Sequence, residues 1–108
     1  MSKLSILKKK KVIVNRPGLK VVQFHLPRGD CIQEHYTNAD VVITTVRGKG
    51  VFTIGSIHHE MNPGVVLEMS PYTLHAIQAL EELEFVVVHM HLEEKTSMVS
   101  CGVDNSAL

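Results

Sequence analysis

The chain has 108 residues and a mass of 12.0 kDa, the size of one domain. Eleven basic residues balance eleven acidic ones, so the chain lacks the basic surplus typical of nucleic-acid binders. Two cysteines are too few for a disulfide scaffold, and no apolar run is long enough to span a bilayer.

Residues 1–10 are Lys-rich and read as a tail. Their short apolar patch precedes the lysines Lys8 to Lys11, the wrong order for a signal peptide, so a cytoplasmic protein is expected. Turn signals then recur at short intervals: Arg16-Pro17-Gly18, Pro27-Arg28-Gly29-Asp30, Thr37-Asn38-Ala39-Asp40, Arg47-Gly48-Lys49-Gly50, Gly55-Ser56, Asn62-Pro63-Gly64 and Ser70-Pro71. Runs rich in Val, Ile and Thr lie between them. This spacing predicts an all-β sandwich or barrel, with strands at 11–15, 19–26, 31–36, 41–47, 50–54, 57–61, 65–69, 74–79 and 84–92. A helix competes for 80–92, because Leu80, Leu83, Val87 and Met90 fall at helical spacing. The aromatic and β-branched run Phe85 to Val88 argues for a strand there. Residues 93–108 lose periodicity and read as a polar C-terminal tail, which leaves 11–92 as the folded barrel.

Seven histidines stand out against five aromatic residues. Side chains two apart on a strand share a face. Alternation over 31–37 therefore groups Cys31, Gln33, His35 and Thr37 on one polar, uncharged face, suited to a pocket wall or to solvent. His75 shares its face with Ile77 and Ala79. A five-residue hairpin loop over 80–84 places Ala79 opposite Phe85 and His75 opposite His89, with His91 in phase. A two-residue loop at Glu81-Glu82 reverses that parity. Imidazoles converging from several strands could bind a divalent metal, or each could be satisfied separately by hydrogen bonds. His25, His58 and His59 read as structural or surface residues. Cys31 reads as a small buried hydrophobe, since four residues along a strand separate it from His35 by about 13 Å.

The segment from Gly29 to about His91 resembles the cupins. Their first motif, G-x5-H-x-H-x3,4-E-x6-G, is matched by Gly29, His35 and Gly48. Their second, G-x5-P-x-G-x2-H-x3-N, is followed in order by Gly64, then Val65 to Ser70, Pro71 and His75. Thr37 stands at the second histidine, Val41 at the glutamate and Ala79 at the asparagine. The resemblance implies a double-stranded β-helix, or jelly-roll, barrel of two antiparallel sheets, commonly a homodimer. It also implies a pocket between the sheets, lined by Cys31, Gln33, His35, Thr37, Ile43, Thr45, Ile54, Met69, His75 and His89. Two functions follow as expectations. One is a small-molecule-binding domain with or without a divalent metal (zinc, iron, nickel, copper or manganese). The other is a metal-dependent enzyme, a dioxygenase or isomerase, using His35, His75 and His89 or His91. No nucleic-acid or membrane partner is expected.

Overall fold

A computed structural model describes residues 9–91. The expected C-terminal tail and the first eight residues of the expected N-terminal tail lie outside the described residues. Among the described residues there are nine strands: β1 (Lys9–Arg16), β2 (Leu19–Leu26), β3 (Cys31–His35), β4 (Asp40–Arg47), β5 (Gly50–Ile54), β6 (Ile57–Met61), β7 (Val66–Met69), β8 (His75–Ala79) and β9 (Leu83–Met90). Each lies within two residues of its sequence-predicted limits. Lys9 and Lys10, assigned above to a tail, open β1 instead. The helical alternative for 80–92 is overturned, because β9 is a strand.

The strands form two antiparallel sheets facing each other. One has the order β1-β2-β9-β4-β7, the other β3-β8-β5-β6. Alternation explains the packing. Along β9, Leu83, Phe85 and Val87 are buried while their neighbours are half-buried. They meet Leu26, Phe24 and Val22 of β2 in register. Phe52, Met61, Ile77 and Ala79 close the core from the other sheet. Fully burying one such side chain contributes about 1.5–3 kcal/mol.

Two turns need glycine. Gly55 has φ +62° in the two-residue loop between Ile54 and Ile57, as a type II′ turn requires at its first central position. Gly48 has φ +91°, and a Cβ there would lie 1.8 Å from the carbonyl oxygen of Glu82. The backbone thus crosses from β4 to β5 directly against the β8–β9 connection, whose Leu80 and Glu81 amides donate to the Lys49 carbonyl.

That connection corrects the sequence-based register. β8 pairs with β3 and β5, whereas β9 pairs with β2 and β4. Residues 80–82 therefore carry the chain from one sheet to the other, and His75 does not pair with His89. No helix among the described residues is long and apolar enough to cross a membrane.

Candidate functional site

Between the sheets lies a cavity of about 300 Å³. Its apolar wall is Phe24, Ile32, Val41, Ile43, Ile77, Phe85 and Val87; its polar groups are Lys10, His35, His75 and His89. The rings of Phe24 and Phe85 stack at 5.2 Å, giving one wall a flat aromatic surface.

His35 enters the cavity because β3 is irregular. Ile32 pairs with Ile77 and His35 pairs with His75, so three steps along β3 match two along β8. The inserted residue has the signature of a β-bulge and reverses the facing pattern at that point. Ile32 and His35 consequently share the inner face. Cys31 and Gln33, expected to share a pocket with His35, instead line a groove on the other side of their sheet beside Thr53, His58 and Gln78. Cys31 is exposed, against the expectation of a buried residue.

The imidazoles of His35 and His75 lie 4.1 Å apart between centroids, tilted by 57°. The Nδ1 of His35 is 2.9 Å from the carbonyl of Gln33, and that of His75 is 2.9 Å from the carbonyl of Thr73. A carbonyl only accepts, so each Nδ1–H donates. In its neutral form each ring therefore keeps an Nε2 lone pair available. His75 is buried, and burial is the main cause of its lowered pKa. The Thr73 hydrogen bond opposes that shift, and the neighbouring His35 adds to it.

His89 reaches the same cavity from the five-stranded sheet. It pairs with Lys20 on one side and Val41 on the other. An imidazole thus stands next to the position where the cupin pattern has a glutamate. Its Nδ1 is buried, with no hydrogen-bond partner among the described residues. Burial again lowers its pKa most, followed by the charges of Lys20, His91, His75 and Lys10.

The remaining expected residues divide. Ile43 lines the cavity. Thr45 and Met69 are buried core residues outside its lining, and Ile54 packs half-buried against that core. Thr37 falls between β3 and β4, where its hydroxyl accepts the Ala39 N–H at 2.9 Å. His91 follows the end of β9, is exposed and lies outside the lining; its N–H donates to the Gly18 carbonyl. His25 pairs with Glu82 at 2.6 Å, and His58 bonds to Thr53. Sequence reasoning missed Phe24, Ile32, Val41, Ile77, Phe85 and Val87 of the lining and, as its charged member, Lys10. Its signal was the register of β1, which sets Lys10 opposite the inward Phe24 and turns Lys9 and Lys11 outward.

Among the described residues, no three His, Cys, Asp or Glu side chains are close enough together to hold a metal ion. The two open Nε2 atoms of His35 and His75 suit a transition ion, but a catalytic zinc-type site takes three protein ligands. The donor set as arranged does not fit such a site.

A nine-stranded pair of antiparallel sheets around an imidazole-bearing cavity defines a double-stranded β-helix. Solved structures make the class more specific. A conserved protein of unknown function from Streptococcus pyogenes matches at TM-score 0.77 and 24% identity, covering 82% of this chain and 77% of that one. An RmlC-like cupin family protein from Methanocaldococcus jannaschii matches at TM-score 0.74 and 23% identity, over 89% of this chain and 91% of that one. A cupin superfamily protein from Desulfitobacterium hafniense matches at TM-score 0.75 and 15% identity, over 78% and 77%. The fold is the cupin fold. No protein-family model matches the sequence. No curated protein matches it either.

Proposed function

We propose that this chain is a small-molecule-binding domain whose ligand occupies the cavity between the sheets. The observation that carries this reading is the make-up of that cavity. Its body is apolar and its few polar groups converge, as in sites that bury a small organic ligand and fix its orientation. The Nδ1–H bonds of His35 and His75 hold two rings in one tautomer, so both Nε2 atoms are ready acceptors without further ordering.

A divalent metal on the His35–His75 pair is the competing reading, with a metal-dependent dioxygenase or isomerase as its enzymatic form. The paired open Nε2 atoms favour it. The third ligand would have to be His89, from the facing sheet. Elemental analysis of untagged protein separates the two readings, with His75→Ala beside it. Ligand binding without a resident metal predicts substoichiometric metal that the substitution leaves unchanged. About one ion per chain, lost in His75→Ala, would instead assign the cavity to a metal centre.

A homodimer goes with this reading. Val21, Val88 and Val42 form a row on the outer face of the five-stranded sheet, each half-buried and uncovered by any other described element. Light scattering should give twice the chain mass, and Val88→Lys should return the monomer.

A further inference from the structure

We infer that the ligand is a small organic acid, with Lys10 holding its acidic group and the His35–His75 pair accepting a hydrogen from it. The inference rests on the binding-domain reading above and adds the ligand's chemical class.

Three consecutive lysines open β1, and strand alternation sends only the middle one inward. Lys10 lines the cavity with its ammonium 6.0 Å from the centroid of the Phe24 ring. Among the described residues Lys10 makes no ion pair. No aspartate or glutamate lines the cavity. The polar wall is thus one ammonium and three imidazoles, with Lys20 paired beside His89. One ammonium on an apolar wall, with no carboxylate in the lining to offset it, is complementary to an anion.

The other end of the ligand follows from the tautomers. With Nδ1–H committed to backbone carbonyls, the Nε2 atoms of His35 and His75 can only accept. They suit a hydroxyl or N–H on the ligand and disfavour a bare carboxylate. The acid therefore belongs at Lys10 and the donor at the imidazole pair. The stacked Phe24 and Phe85 rings offer the body of the ligand a flat apolar face.

The test is calorimetric titration of the full chain with 4-hydroxyphenylacetate and with its neutral amide, 4-hydroxyphenylacetamide. The acid should bind about tenfold tighter than the amide. Lys10→Gln should remove that gap, whereas Lys10→Arg should keep it. Thermal melts of both variants check folding, and Lys10 is an exposed residue on an edge strand. Equal or tighter binding of the amide would overturn the acid assignment and leave the binding cavity standing. A gap that survives in Lys10→Gln would overturn the role of Lys10. Binding of neither compound at millimolar concentration would overturn this acid assignment, while the binding-domain reading stands or falls separately on the metal analysis above.

Discussion

Two imidazoles within contact of each other, one of them buried, repel a second proton. His75 titrates below the ordinary histidine value of 6.5, mainly because burial disfavours its charged form. The unfolded chain takes up that proton first as the pH falls through about 6.5. The stability supplied by neutral His75 is therefore complete above that pH and is lost below it. Urea unfolding at pH 7.5 and 5.5 should show this acid loss, and His75→Gln should make it smaller. An equal loss in both proteins would place the titration elsewhere. Thr45 carries the opposite lesson. Its hydroxyl is buried, with no hydrogen-bond partner among the described residues. Removing an unsatisfied group while keeping the shape is neutral or stabilising. Thr45→Val should raise unfolding free energy by about 1 kcal/mol.

Strands were legible and their partners were not. Turn residues and β-branched runs placed all nine strands, because those signals are local. Which strands pair is decided by whether a connection stays within a sheet or crosses between sheets. Residues 80–82 look like a hairpin loop in sequence, yet they cross, and the Gly48 backbone seated against Glu82 fixes that crossing. His75 and His89 share one cavity across the sandwich rather than along a hairpin. The bulge in β3 was equally silent, since one inserted residue leaves no compositional mark. It moved Cys31 and Gln33 out of the pocket and kept His35 in. Motif spacing found His35 and His75 because it counts residues along the chain and does not depend on which face each one takes. Gly48→Ala tests the crossing. Left-handed backbone strain and the overlap with Glu82 should together cost about 2–4 kcal/mol in chemical denaturation. A wild-type denaturation midpoint would show that the contact at Glu82 relaxes freely.

At the scale of the molecule, the cavity wall is divided between the sheets. His35, Ile32, His75 and Ile77 belong to one; Lys10, Phe24, Val41, Ile43, Phe85, Val87 and His89 belong to the other. An occupant touching both would act as a rivet through the sandwich. It stabilises the closed form by mass action and should slow amide exchange in β3 and β9 together, although these strands share no hydrogen bond. Protection confined to one sheet would mean that the ligand sits on a single wall. How long a ligand stays then becomes a clock for the protein itself. Its residence time sets how long the two walls stay bridged, and hence how long β3 and β9 are protected together.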